Sequence, residues 1–219
     1  MDTKKMHFNP GCALSIYKPA LENKIFEYLI ENYPDIKLHK ICCRHNPQLE
    51  QGSIVNVCAG CDKRFSTLYE NVDTVSLWEI IDKLDNFPFP DYKGMTMTIH
   101  DACPVREKSV VHKAVRSLLE KMNIKIVEVA NSESKSICCG DSFYGELPLD
   151  KVHELMKKRA QSMPCNDVVV YCVSCIKAMY IGGKTPQYLV DLLAGQETEV
   201  QEYRTKEWHD LLDAYIKEH

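Results

Sequence analysis

The chain of 219 residues is long enough for one large domain or two small domains with a buried core. Its formal net charge of −4 and its pI near 6.1 argue against a nucleic-acid-binding protein, because such proteins carry a basic face. No apolar run approaches the roughly 20 residues of a membrane span, and residues 1–5 lack the apolar part of a secretory signal. We therefore expect a cytoplasmic protein without membrane spans.

The first half of the chain predicts alternating helices and strands. An amphipathic helix is predicted over 19–33, and Pro19 suits its first turn. Short strands are predicted at 37–41 and 54–57. Further helices are predicted to start near residue 62 and to cover 76–84. The segment 85–94, which contains prolines and a glycine, is predicted to link the two halves.

The second half predicts the same alternation in a fuller form. Strands are predicted at 95–99, 124–129 and 168–171. Helices are predicted at 105–122, 148–163, 186–193 and, in an amphipathic tail, 205–217. The run 168–171 is wholly apolar, which is typical of a parallel strand that helices cover on both faces.

Ten of the eleven cysteines fall into two sets that share one order along the chain. In each set a single cysteine precedes an adjacent pair, and a C-x-x-C motif follows. The first set is Cys12, Cys42, Cys43, Cys58 and Cys61. The second set is Cys103, Cys138, Cys139, Cys172 and Cys175. Cys165 belongs to neither set and is predicted to be a bystander.

This repetition predicts an internal duplication in an α/β fold: two small pseudo-symmetric lobes, each with a parallel sheet covered by helices. Only 14 residues separate Cys43 from Cys58, whereas 32 separate Cys139 from Cys172, so the first lobe lacks room for the middle helix. We predict lobes at 1–88 and 94–195, and a C-terminal helical tail at 196–219 packed on the lobes. The cysteines would meet at the carboxyl ends of the strands.

The number and order of the cysteines predict a metal site. Disulfides are rare in the cytoplasm, so metal binding or redox chemistry is the better explanation. Zinc uses four ligands, whereas each set offers five thiols. Five converging soft ligands favour an iron–sulfur cluster, and zinc remains the alternative.

The second set resembles a known family. The run C-x34-C-C-G-x31-C-x-x-C, headed by Ile99-His100-Asp101-Ala102-Cys103-Pro104, resembles the cysteine-rich CCG domain. This domain occurs once or twice in the B subunit of heterodisulfide reductase and in the iron–sulfur subunits of glycolate and lactate oxidation. The opening Asn9-Pro10-Gly11-Cys12 resembles the first of two such domains in the reductase subunit, although Arg44 stands where the family has a glycine.

The resemblance implies a function. Each set would hold a non-cubane [4Fe-4S] cluster through its five cysteines, giving one or two clusters per chain. A disulfide of a small thiol substrate, or a related sulfur bond, would be cleaved reductively at the clusters. The chain has no ferredoxin-like four-cysteine run. Its electrons would therefore come from a ferredoxin-type partner subunit, which in this family is often fed by a flavoprotein.

Four residues beside the cysteines are further candidates. His100 is predicted to donate a proton to a nascent thiolate or to hydrogen-bond a cluster sulfide, and a structural hydrogen bond is the alternative. Arg44 is predicted either to crowd the first site or to bind an anionic substrate. Gly140 is predicted to let the backbone turn sharply beside the sulfurs, and Gly11 to lie at the first cluster.

Two other functions remain open on the sequence alone. The chain would be an electron-transfer subunit without its own substrate site if it resembles the subunits of hydroxy-acid oxidation more closely. It would be a zinc-stabilised interaction module if the thiols hold zinc.

Overall fold

The computed structural model describes residues 6–49, 51–200 and 204–219. They divide into two compact units. The first unit comprises the described residues up to 80 together with 204–219, and the second unit comprises those from 81 to 200. No helix in the described part of the chain has the length and apolar character needed to cross a bilayer.

The first unit is built on a four-stranded parallel sheet. Its strands are β1 (Met6–Asn9), β2 (Lys37–Leu38), β3 (Gly52–Asn56) and β4 (Val72–Ser76), and their order is β2-β1-β3-β4. Its helices include α1 (Cys12–Tyr17), α2 (Pro19–Asn32), α3 (Ala59–Leu68) and α4 (Leu77–Asp82). Pro19 occupies the first turn of α2, as its fixed φ favours.

The second unit has a sheet of the same kind. Its strands are β5 (Thr96–His100), β6 (Lys125–Ile126), β7 (Asp167–Val170) and β8 (Thr185–Tyr188), all parallel, in the order β6-β5-β7-β8. Its helices are α5 (Ser109–Lys121), α6 (Leu149–Gln161), α7 (Val173–Ile181) and α8 (Leu189–Ala194). Short 3-10 helices lie at Cys103–Val105, Glu133–Lys135 and Asp141–Phe143. The last helix, α9 (Thr205–Glu218), belongs to the first unit.

The equal strand order of the two sheets confirms the predicted α/β fold with two parallel-sheet lobes. The first sheet nevertheless contains two strands that the pattern did not predict, β1 and β4, and the second sheet contains one, β8. The predicted helix 186–193 is wrong at its start, where the chain forms β8 before α8. The prediction took Pro186 as the start of a helix. Pro186 instead lies in β8, an edge strand with β7 as its one neighbour, where a missing N–H is tolerated.

The middle helix differs between the units, as the spacing predicts. In the second unit α6 lies between the adjacent cysteines and β7. In the first unit the described residues between β2 and β3 contain no helix. Instead α9 packs against α1 and reaches the loop after β2, where the carbonyl oxygen of His219 accepts a hydrogen bond from the backbone N–H of Cys42 at 3.1 Å.

The central strands carry the buried core. Val168, Val169 and Val170 of β7 are fully buried, as expected for a strand that helices cover on both faces. Ile54 and Val55 of β3 are equally buried in the first unit. Burial of each such side chain contributes roughly 1.5–3 kcal/mol. The rigid sheets therefore fix the positions at which the strands end.

Candidate metal centres

The cysteines follow the carboxyl ends of the strands in both units. Cys12 comes three residues after β1 and Cys103 three residues after β5. Cys58 and Cys172 each come two residues after the neighbouring strand, β3 or β7. Since β1 pairs with β3 and β5 with β7 in parallel, these thiols meet at one edge of each sheet.

Each C-x-x-C motif forms the first turn of a helix. Cys58 is the N-cap of α3 and Cys172 is the N-cap of α7, so Cys61 and Cys175 lie one turn later on the same side. Helix N-termini stabilise negative charge, and they lower the pKa of thiols. A hydrogen bond with the Cys61 thiol, together with the backbone N–H groups of Cys61 and Gly60, lowers the pKa of Cys58 to about 7.

The five thiols of each set are joined in one continuous chain of hydrogen-bonding contacts. In the first set the chain runs Cys12, Cys42, Cys43, Cys61, Cys58. In the second set it runs Cys103, Cys138, Cys139, Cys175, Cys172. The two chains have the same connectivity, so the structure brings together every cysteine that the sequence assigned to each set. Cys165 lies outside both, and all eleven thiols are free.

The first cysteine of each adjacent pair has a strongly lowered pKa. Hydrogen bonds from Cys12 and Cys43 lower the pKa of Cys42 to about 2. Hydrogen bonds from Cys103 and Cys139 lower the pKa of Cys138 strongly, and Ser142 adds a contact of 2.9 Å between Oγ and Sγ. The lowered pKa values of Cys42 and Cys138 favour the thiolate, the form that binds metals.

The residue after each adjacent pair donates its backbone N–H to the sulfur of the first cysteine of that pair. The N–H of Gly140 donates to Cys138 Sγ at 3.3 Å, and the N–H of Arg44 donates to Cys42 Sγ at 3.5 Å. Gly140 has φ +111°, and an added Cβ would lie 2.9 Å from the backbone nitrogen of Met156 on α6. The glycine is therefore required both by the left-handed backbone of this turn beside Cys138 and by the close approach of α6.

Arg44 is compatible with the first site because the described residues between β2 and β3 form no counterpart of α6. Its φ is not positive, in contrast to that of Gly140. Its side chain is 61% exposed, and the guanidinium lies 3.9 Å from the carboxylate of Asp213 on α9. The structure thus places this side chain at the surface of the first unit, while its backbone contacts the thiol. Substrate binding by Arg44 stays a prediction.

Gly11 lies directly beside the sulfurs of the first set. It has φ +76°, and an added Cβ would lie 3.0 Å from Cys58 Cβ and 3.4 Å from Cys61 Sγ. The space beside these two cysteines therefore depends on the absence of a side chain at position 11. The matching residue of the second unit is Ala102, whose φ of −69° needs no glycine.

His100 is buried at the end of β5, with 1% of its surface exposed. One ring nitrogen of His100 and the Sγ atoms of Cys139 and Cys175 lie within 4.8 Å of one another. The guanidinium of Arg159 on α6, which is itself buried, donates from Nε to His100 Nδ1 at 3.2 Å. Sequence reasoning missed Arg159, although its place three residues after Met156 on the apolar stripe of α6 indicated burial.

A second group that the sequence did not predict consists of the hydrogen bonds around Asp101, which connect the cysteine loops of the second unit. Its fully buried carboxylate accepts two hydrogen bonds from Arg116, at 3.0 and 3.2 Å, and one from Tyr171 at 3.1 Å. It also accepts the backbone N–H of Glu133 at 2.7 Å, and its own carbonyl accepts from Ser136. The loop that carries Cys103 is thereby tied to the loop that carries the adjacent pair.

Replacing Arg116 with methionine is expected to destabilise the second unit by about 3 kcal/mol, because it leaves the buried carboxylate of Asp101 without its cation. Urea unfolding followed by circular dichroism measures the loss. Lys113→Met is the matched control, since Lys113 lies exposed on the same helix. Equal unfolding midpoints of the two variants would show that the Arg116 contacts contribute little.

Comparison with known proteins gave one family match. The sequence model of the cysteine-rich domain named CCG matches residues 97–180, which include all five cysteines of the second set. No curated protein matches the sequence. Among solved structures, Picrophilus torridus aspartate racemase is 11% identical over 93% of this chain and 99% of that chain, with a TM-score of 0.34. At that TM-score the likeness supports no inference.

The donor set fits a metal or an iron–sulfur cluster. Each set presents five sulfur atoms in contact, and two of the five are buried: Cys42 and Cys61 in the first set, and Cys139 and Cys175 in the second. Thiolates are the ligands that zinc and iron–sulfur clusters prefer. The clustered thiols and the matching domain together indicate metal or iron–sulfur binding.

Proposed function

We propose, on the premise that residues 97–180 form a cysteine-rich domain of the CCG family, that this chain is an iron–sulfur subunit of an oxidoreductase. Its reaction would be the reductive cleavage of a disulfide or a related sulfur bond. The observation that carries the proposal is the pair of five-thiol chains with identical connectivity. Five thiols exceed what a tetrahedral zinc ion binds.

In this proposal the second set, from Cys103 to Cys175, holds one non-cubane [4Fe-4S] cluster. The first set, from Cys12 to Cys61, holds another. Such a cluster, when bound, exchanges single electrons. Reduction of one disulfide to two thiols consumes two electrons and two protons, so two one-electron sites in one chain match the stoichiometry. The electrons would come from a ferredoxin-type partner subunit, and a flavoprotein would reduce that partner.

The residues around the sulfurs hold and tune these sites. The N-terminal turns of α3 and α7 place N–H groups and helix dipoles beside the C-x-x-C sulfurs, which favours negative charge there. The Asp101 contacts hold two cysteine loops together in the second unit. Half-exposed cysteines, Cys138 among them, give each site a side open to solvent.

A second candidate is an electron-transfer subunit without its own substrate site. It is favoured by the positions of the two residues to which substrate chemistry was assigned. His100 is buried and engaged by Arg159, and Arg44 points to Asp213 at the surface. His100 therefore has no surface open to a substrate in this arrangement, and the exposed guanidinium of Arg44 lies beside a carboxylate.

Anaerobic purification followed by iron, zinc and acid-labile sulfide analysis tests the proposal. We expect iron and sulfide in near-equal amounts, with visible absorption. Stoichiometric zinc without sulfide would instead identify a zinc-stabilised interaction module. A disulfide added to the reduced protein distinguishes the other two functions. A spectral change on adding the disulfide supports the reductase, whereas no change, with fast electron exchange to a flavoprotein, supports the carrier.

A further inference from the structure

The buried pair of Arg159 and His100 determines where the imidazole proton lies. Arginine carries only hydrogen-bond donors, so the contact between Arg159 Nε and His100 Nδ1 requires Nδ1 to be the acceptor. A neutral imidazole has one N–H group, which must then be on Nε2. Arg159 is itself held by two further hydrogen bonds, to the carbonyl of Asn131 at 3.1 Å and to Ser162 Oγ at 3.4 Å.

The Nε2–H group has no acceptor among the described residues of the protein. A buried N–H without a partner costs free energy, so such groups are normally satisfied. The sulfurs of Cys139 and Cys175 are the nearby candidates, because one ring nitrogen of His100 and these two sulfurs lie within 4.8 Å of one another. These sulfurs become better acceptors when they carry the negative charge of metal-bound thiolates.

We infer that Arg159 is a positioning residue that holds His100 as the Nε2–H tautomer, and that His100 donates a hydrogen bond to a cysteine sulfur of the second set instead of binding the metal. A metal-binding histidine must offer a lone pair. Here the lone pair of Nδ1 is taken by Arg159, and Nε2 carries the proton. The inference rests on the proposed occupancy of the second set.

The first set has no equivalent donor at the matching position. Asn9 stands three residues before Cys12, as His100 stands three residues before Cys103. Its side chain is already used, because Nδ2 donates to Asn56 at 2.7 Å and Oδ1 accepts the N–H of Gly11 at 3.2 Å. The described residues of the first unit also contain no buried lysine or arginine to match Arg159.

The consequence is a difference in reduction potential. Hydrogen bonds to sulfur and nearby positive charge stabilise the more negative, reduced form of a cluster, and so they raise its potential. His100 supplies such a hydrogen bond, and Arg159 supplies a buried positive charge. The second site is therefore the more easily reduced of the two when both hold the same cluster.

Substitutions at the two positions test the inference through the reduction potential. His100→Asn installs the residue found at position 9 and removes the donor. Arg159→Met removes the contact that fixes the tautomer, whereas Arg159→Gln keeps an N–H donor to Nδ1. Anaerobic spectroelectrochemical titration should show a shift to lower potential for His100→Asn and Arg159→Met, and a smaller shift for Arg159→Gln. Iron and sulfide content should stay at the level of the unchanged protein.

His112→Asn is the control, because His112 is a buried histidine of the same unit that is not part of the group with Cys139 and Cys175. Its potential should equal that of the unchanged protein. Loss of iron from the second set in His100→Asn would overturn the inference in favour of a metal ligand. An unchanged potential in both His100→Asn and Arg159→Met would overturn it as well.

Zinc in place of iron would reject the proposed function without deciding the role of His100. The protein is then diamagnetic, and long-range ¹H–¹⁵N correlation spectra report the imidazole tautomer directly. We expect a protonated Nε2 that becomes a mixture of tautomers in Arg159→Met. A metal-bound Nε2, or a proton on Nδ1, would contradict the inference.

Discussion

Replacing Cys139 with serine is expected to remove the metal or cluster of the second set while the first set stays loaded. Cys139 is the central link of its thiol chain, because it contacts both Cys138 and Cys175. It is also buried, so no solvent ligand can take its place readily. A serine oxygen is harder and less acidic than a thiol, and iron and zinc bind it poorly in such sites.

The expected result is a loss of roughly half of the bound metal and roughly half of the visible absorption, because each of the two five-thiol sets would hold about half of the metal. Metal analysis and absorption spectra of the anaerobic protein measure it. Cys43→Ser is the matched variant, because Cys43 holds the same central place in the first set. Cys165→Ser is the control outside both sets. Full loading of Cys139→Ser would refute our assignment, and full loading of Cys43→Ser would show that the first set binds no metal.

Replacing Gly140 with alanine is expected to destabilise the second unit by about 3 kcal/mol. The backbone at φ +111° is unfavourable for any residue with a Cβ, which costs roughly 1–2 kcal/mol. The new Cβ would also lie 2.9 Å from Met156 N and 3.2 Å from Leu155 Cβ, and such overpacking costs roughly 1–3 kcal/mol. Denaturant unfolding followed by circular dichroism measures the change in the free energy of unfolding.

Arg44→Ala is the matched control at the corresponding position of the first set. The pair of Arg44 and Asp213 is exposed and 3.9 Å apart, so its loss should change stability by less than about 0.5 kcal/mol. Trp78 and Trp208, the two tryptophans of the chain, belong to the first unit. Their fluorescence therefore reports the unfolding of that unit separately. A small change in the free energy of unfolding of Gly140→Ala would show that α6 can move away from the turn formed by Cys138, Cys139 and Gly140.

The surroundings of Gly140 and Arg44 explain why one adjacent cysteine pair is followed by glycine and the other by arginine. Glycine is needed where α6 packs onto the turn after Cys139. The described part of the first unit has no helix in that place, so the turn after Cys43 tolerates a side chain. The arginine after Cys43 is thus compatible with the short spacing from Cys43 to Cys58.

The sequence alone determined where the thiols enter the fold. Apolar runs marked the strands directly before Cys58, Cys103 and Cys172, so the convergence of these cysteines at the sheet edges follows from parallel topology. The spacing between Cys43 and Cys58 likewise excluded a middle helix, because 14 residues leave too little chain for one. These features are local or depend on chain length, which is why they can be predicted.

Only the tertiary structure decided the contacts between distant segments. Arg159 meets His100 across 59 residues of sequence, and Arg116 meets Asp101 from a separate helix. The order in which the sulfurs touch, and the packing of α9 on the first unit, are equally non-local. Such contacts depend on how the helices lie on the sheets, and neither hydrophobic periodicity nor motif spacing carries that information.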